Sequence, residues 1–133
     1  MSNLFYTAGL RSVGCYQVAG TPYITGSSIN NGVEVKLEFP KVTKSVTVHA
    51  LSSSDGTGID VHFNSLSSGR VLDGIHYKRL AHMESFTFNV KCKEIYISNP
   101  ASGTQPLSFT VIAELTTIPT GSMFALTGSG LTD

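Results

Sequence analysis

Apolar and polar residues alternate with a period of two through most of the middle of this chain, and that period places successive side chains on opposite faces of a β-strand. In Val33-Glu34-Val35-Lys36-Leu37-Glu38-Phe39 the odd positions are apolar and the even ones charged. One face therefore suits a core and the other water or a partner, and Pro40 ends the strand. Ser45-Val46-Thr47-Val48-His49-Ala50 repeats the pattern. The Ser/Gly-rich run from Ser52 to Gly58 supplies turn chemistry, which predicts a hairpin with Ile59-Asp60-Val61-His62-Phe63-Asn64. A loop through Ser67-Ser68-Gly69 leads to a weaker stretch around Ile75-His76-Tyr77. Further alternation follows in Ser85 to Val90, Lys93 to Ser98 and Leu107 to Leu115, with a turn at Asn99-Pro100-Ala101-Ser102-Gly103.

Short strands separated by turn signals about every 8 to 12 residues, with no helical period between them, predict an all-β antiparallel sandwich. Its expected form is a jelly-roll or immunoglobulin-like domain of about seven or eight strands over residues 29–117. The inward positions are Val33, Val35, Leu37, Phe39, Val46, Val48, Ile59, Val61, Phe63, Phe86, Phe88, Val90, Ile95, Ile97, Leu107, Phe109, Val111 and Leu115. At about 1.5–3 kcal/mol for each large side chain buried, this set supports folding without metal or disulfide.

The two ends differ from the middle. Residues 1–28 hold Leu4, Phe5, Tyr6, Leu10, Tyr16 and Tyr23 but are cut by glycine at positions 9, 14, 20 and 26. Residues 118–133 hold Met123, Phe124 and Leu131 and are again Gly-rich without a period. Disordered termini are polar and poor in aromatics. These ends are neither, so they are expected to dock, either as edge strands and plugs on their own sandwich or as an arm and a tail on a neighbouring subunit.

Composition narrows the function. The 133 residues fit one domain, and only 14% are charged, against about 25% in an average soluble domain. A surface of Ser, Thr, Asn and Gly suits a protein packed against other proteins, where an unpaired buried charge is costly. Nine basic residues balance nine acidic ones, so the positive excess that a nucleic-acid binder needs is missing. No apolar run is long enough for a membrane helix, and Met1 to Leu10 lacks the basic start and apolar core of a signal peptide, so assembly in a cytoplasm is expected.

Candidate chemistry is sparse. His49, His62, His76 and His82 are dispersed, without HExxH, CxxC or a phosphate loop, so no catalytic residue, cofactor or metal is expected. If the strands carrying His49 and His62 were paired, these two and Asp60 would come within metal-ligand reach, although ordinary surface histidines are commoner. Asp55-Gly56-Thr57-Gly58 offers one carboxylate, too few oxygens for calcium. There is no GxSxG elbow, and an enzyme is not expected. Cys15 and Cys92 either form one bridge or are both reduced, and Cys92, between Lys91 and Lys93, reads as a packing residue.

The segment from Tyr6 to Ser27, YTAGLRSVGCYQVAGTPYITGS, the Ser/Thr-rich strands after it and the ending LTGSGLTD over 126–133 resemble small virion surface proteins of aquatic viruses and tailed phages. The resemblance implies a decoration, cement or minor capsid subunit located in the virion, a β domain that binds the major capsid protein or another virion protein and self-associates, with a trimer favoured. It implies interface positions Leu4, Phe5, Tyr6, Leu10, Tyr16 and Tyr23 at one end and Met123, Phe124 and Leu131 at the other, and no catalytic residues. The alternative is a carbohydrate-binding or adhesin module with Tyr77 or Tyr96 as a stacking platform, in a chain that has no Trp.

Overall fold

A computed structural model describes residues 21–30, 32–51, 58–81, 83–100, 107–124 and 126–133. The described residues form eight strands: β1 (Thr21–Ile29), β2 (Glu34–Glu38), β3 (Lys41–Ala50), β4 (Ile59–His62), β5 (Lys78–Leu80), β6 (Ser85–Phe88), β7 (Glu94–Ser98) and β8 (Leu107–Pro119). A 3₁₀ turn, Thr120–Ser122, follows β8.

The strands form two four-stranded sheets, ordered β1-β8-β3-β6 and β2-β7-β4-β5. The pairing pattern explains the order. First pairs with last, second with seventh, third with sixth and fourth with fifth, all antiparallel, so the chain is one long ribbon folded back on itself. The pairings β3·β8 and β4·β7 roll that ribbon into two layers. This is the jelly-roll arrangement, and it decides between the two sandwich types that the alternation allows.

The inner faces supply the core. Along β8 the odd residues Leu107, Phe109, Val111, Ala113 and Leu115 are buried, and they meet Val46, Val48, Ile59, Val61, Ile95 and Ile97 from both sheets. Phe63 and Phe88 close one side edge-to-face, with ring centroids 5.6 Å apart. Val42, Ile118 and Met123 form a second small cluster, bridged to the first by Leu126.

Several expectations need correction. The predicted hairpin between Ser45–Ala50 and Ile59–Asn64 does not form, because β3 lies in one sheet and β4 in the other. Strand β3 starts earlier than its alternation, at Lys41, because register shifts at Thr43 break the period and leave Val42 and Thr43 both buried. The hydroxyl of Thr43 uses that irregularity to bond the carbonyl of Val90 at 2.9 Å and to accept from the backbone N–H of Cys92 at 3.2 Å. The strand expected around Ile75 is at Lys78–Leu80 instead, and Ile75 is a turn residue with φ of 57°. Val33 and Phe86, expected inside, are 42% and 43% exposed because each sits at the margin of its sheet.

Of the N-terminal segment, residues 1–20 lie outside the described residues, and Thr21–Ile29 pairs along its length with Leu107–Leu115 as an edge strand. The C-terminal tail folds back on its own domain: Met123 is buried, and the backbone N–H of Arg70 donates to the carbonyl of Thr132 at 2.7 Å.

Candidate functional site

The outer faces of the two sheets have opposite characters. On the β2-β7-β4-β5 sheet, register aligns Glu34, Ser98, Asp60 and Arg79 in one row, Lys36, Tyr96 and His62 in the next, and Glu38 with Glu94 in a third. Charges here are paired. Arg79 bonds both carboxylate oxygens of Asp60, at 2.8 and 3.1 Å, and Lys36 reaches Glu38 at 3.2 Å and Glu94 at 3.5 Å.

The β4–β5 loop, residues 63–77, is anchored on this face. The backbone N–H of Leu66 donates to Glu34 at 2.8 Å, and the Asn64 side chain donates to the carbonyl of Leu126 at 2.5 Å. Asp60, His62 and Ser98 are consequently no more than 3% exposed. His62 Nδ1 lies 2.6 Å from the carbonyl of Asn64, an acceptor only, so that nitrogen carries the proton. Nε2 then accepts from the hydroxyl of Ser98 at 3.0 Å. Burial pushes the His62 pKa below the ordinary histidine value, against the opposing pull of the Asn64 carbonyl, Glu34 and Asp60, and keeps the ring neutral. Ser98, His62 and a carbonyl have the spacing of nucleophile, base and orienting group. With both side chains enclosed, however, the arrangement ties β4 to β7 and fixes the start of the loop rather than meeting a substrate.

Among the described residues, the outer face of the β1-β8-β3-β6 sheet is exposed around Ile24 and Ile112. Its rows are Pro22, Glu114 and Ser45; Ile24, Ile112, Thr47 and Thr87; Gly26, Thr110, His49 and Ser85; and Ser28 with Ser108. Within these rows Glu114 is the one carboxylate, accepting from Ser45 at 3.0 Å, while Lys41, paired with Pro119, and Lys44 stand at the start of β3. Ile24 and Ile112 are register partners, 68% and 44% exposed, and the hydroxyls of Thr47 and Thr87 bond each other at 2.8 Å beside them. Gly26 lets β1 approach closely, since a Cβ there would lie 2.8 Å from the carbonyl oxygen of Phe109.

The interface residues expected from sequence are scattered. Leu4, Phe5, Tyr6, Leu10 and Tyr16 lie outside the described residues. Tyr23 is half-buried edge-to-face on Phe39, with centroids 5.7 Å apart, and Met123 is buried with Val42 and Ile118. Both therefore serve the domain's own interior. Phe124 is 66% exposed, and Leu131 is half-buried in the final turn. Tyr77 and Tyr96 are half-buried, the first beside the guanidinium of Arg79 and the second stacked on His62. The Ile24–Ile112 pair was not singled out by sequence. Its signal was Ile112, an apolar residue at an even position of a strand whose odd positions face inward.

Other chemistry is limited. His49 and His62 lie in different sheets, so the paired-strand metal geometry does not arise, and among the described residues no three His, Cys, Asp or Glu side chains gather as a metal site. Cys92 is a buried free thiol, its pKa pushed up to about 11 by burial, and Cys15 is outside the described residues. A cleft of about 270 Å³ is lined by Glu38, Phe39, Lys93, Glu94, Thr120 and Gly121.

Fold and surface together define the class, a jelly-roll β-sandwich whose described residues place most strand charges on one sheet and an apolar pair, Ile24 and Ile112, among hydroxyls on the other. No protein-family model matches the chain, and no curated protein sequence matches it. Jelly rolls serve in viral coats, lectins and cupins alike, so function has to be argued from the faces themselves.

Proposed function

We propose that this protein is a structural assembly subunit, a virion decoration, cement or minor capsid protein that packs against neighbouring shell proteins and self-associates. One observation carries the reading. The middle rows of the outer β1-β8-β3-β6 face present Ile24 and Ile112 among Thr and Ser side chains, with Glu114 in the row beside them, so covering these rows desolvates little charge. Interface centres are likewise apolar and depleted in charge. On the opposite sheet the loop covers only the Asp60, His62 and Ser98 centre, and the side chains of Lys36, Glu38 and Arg79 stay 43%, 71% and 54% exposed, so covering that face desolvates charge.

The test is light scattering on the purified protein, with binding to isolated capsid shells measured by co-sedimentation. Self-association and shell binding are expected, and Ile112→Glu, which places a charge in the middle of the face, should abolish both while leaving the circular dichroism spectrum unchanged. A monomeric wild type that does not sediment with shells would refute the proposal.

A further inference from the structure

A run of hydrogen bonds leads from the buried His62 to the end of the chain. His62 Nδ1–H donates to the Asn64 carbonyl at 2.6 Å, and the Asn64 side chain donates to the carbonyl of Leu126 at 2.5 Å. Further along the same loop the Arg70 N–H donates to the Thr132 carbonyl at 2.7 Å, and Gly69 packs so closely there that a Cβ would collide with that oxygen. Leu126 in turn lies against both the Val42–Ile118–Met123 cluster and the main core. Loop and tail therefore hold each other, and the imidazole at the head of the loop is the fixed point of both.

The site is built for a neutral ring. With Nδ1 already donating, protonation turns Nε2 into a second donor, aimed at the Ser98 hydroxyl that now donates to it at 3.0 Å. It also places a charge where His62 and Ser98 are no more than 3% exposed. The carboxylates facing the ring are already engaged. Glu34 of β2 accepts from the Leu66 N–H, and both oxygens of Asp60 on β4 are bonded by Arg79 of β5. From β7, Tyr96 stacks on the ring, and Lys36 in the same row adds positive charge while Glu38 and Glu94 hold it. On the loop, Asn64 and Leu66 are uncharged, and Arg70 and Asp73 lie further along. The balance goes to burial, which lowers the His62 pKa against the pull of the Asn64 carbonyl, Glu34 and Asp60.

We infer that His62 is an acid-sensitive latch: when its ring takes up a proton it leaves its enclosure, and the β4–β5 loop and the C-terminal tail open together while the two sheets stay closed. Exit of the ring moves Asn64, whose carbonyl it holds, and the bond to Leu126 goes with it. Displacing Leu126 uncovers the flank of the Val42–Ile118–Met123 cluster, so acid presents an apolar surface that neutral solution keeps covered. The sheets persist because their shared core, with Val61, Ile97, Phe109 and Val111, lies on the inner faces, away from His62. The inference is independent of the assembly role, since it needs no partner.

The experiment is hydrogen exchange of the full chain between pH 7.5 and 5, read by mass spectrometry and corrected for intrinsic exchange, with the His62 ring followed by NMR. Once the loop is open the ring regains its ordinary pKa near 6.5, so the open form gains as pH falls below that value. Amides of residues 64–77 and 126–133 should then lose protection by up to about tenfold per pH unit, the effect of one linked proton, while those of β3 and β8 stay protected. In His62→Phe, which keeps a ring on Tyr96 but has no titrating nitrogen, exchange of these segments should not change with pH. His76 is the competing group within the loop, because its Nδ1 is buried without a hydrogen-bond partner among the described residues, and His76→Gln should keep the response. Loss of the response in His76→Gln, or its persistence in His62→Phe, would overturn the latch. So would a wild-type His62 ring titrating at or above 6.5, a result that stands even if His62→Phe does not fold. Simultaneous loss of protection in β8 would overturn it too, since the opening would then be global.

Discussion

Removing the hydroxyl of Ser98 isolates the buried pair under the β4–β5 loop. Ser98→Ala leaves Nε2 of His62 without its donor in a site no more than 3% exposed. A buried acceptor stripped of its partner costs about 1–3 kcal/mol, which for a domain of this size lowers Tm by roughly 4–12 °C. His62→Phe keeps a ring stacked on Tyr96, where the native centroids are 6.0 Å apart and nearly parallel, but removes both polar atoms. The double variant should therefore be more stable than the sum of the single losses predicts, by about 1 kcal/mol, in urea unfolding at pH 7.5. Lowering the pH adds a second reading. The folded His62 pKa lies below its unfolded value near 6.5, so the unfolded chain takes up a proton that the folded chain refuses. Stability from this residue is present above that value and is lost as pH falls through the folded pKa. Wild type should thus lose more stability than His62→Phe between roughly pH 7 and 5. Parallel pH profiles, or strictly additive losses in the cycle, would show that His62 is not held neutral by this network.

Three further outcomes follow from packing. Gly58→Ala should cost more than about 3 kcal/mol in chemical denaturation, because the new Cβ would fall well inside contact distance of the Leu80 carbonyl and β4 would have to part from β5; a loss under about 1 kcal/mol would contradict that packing. Ile97→Ala, at a fully buried position, should lower stability by about 2–5 kcal/mol, read from the urea midpoint. In a Cys15→Ser background, Cys92 should resist a disulfide reagent at pH 8 until the domain unfolds, since its thiol pKa is raised to about 11; native stability should then fall as pH rises above the unfolded thiol value near 9, and rapid labelling of folded protein would refute the burial.

The inner strands were legible because their alternation is undisturbed. Leu107 to Leu115 places every odd residue inside, and Glu94–Ser98 does the same with Ile95 and Ile97. Strand β1 was not legible. Within Thr21–Ile29 only Tyr23 and Ile29 reach the core, Ile24 points outward, and Gly26, Ser27 and Ser28 carry no apolar signal, so its identity as a strand depends on β8. His62 was expected at the surface because its strand position faces outward; a loop distant from any strand pattern buries it, and alternation contains no information about such covers. The Ile24–Ile112 face was partly visible in the low charge content, but charge content alone does not reveal that most charged strand positions collect on the other sheet, with Lys41, Lys44 and Glu114 the exceptions.

Pairing the first strand with the last has a consequence for synthesis. Ile24 emerges from the ribosome early and Ile112 late, and their shared row exists only once β8 has been made and has slotted between β1 and β3. Contacts so distant in sequence form slowly and late in folding. A nascent chain thus presents Ile24 without Ile112, and the order of strands withholds the finished apolar row until β8 has closed the domain.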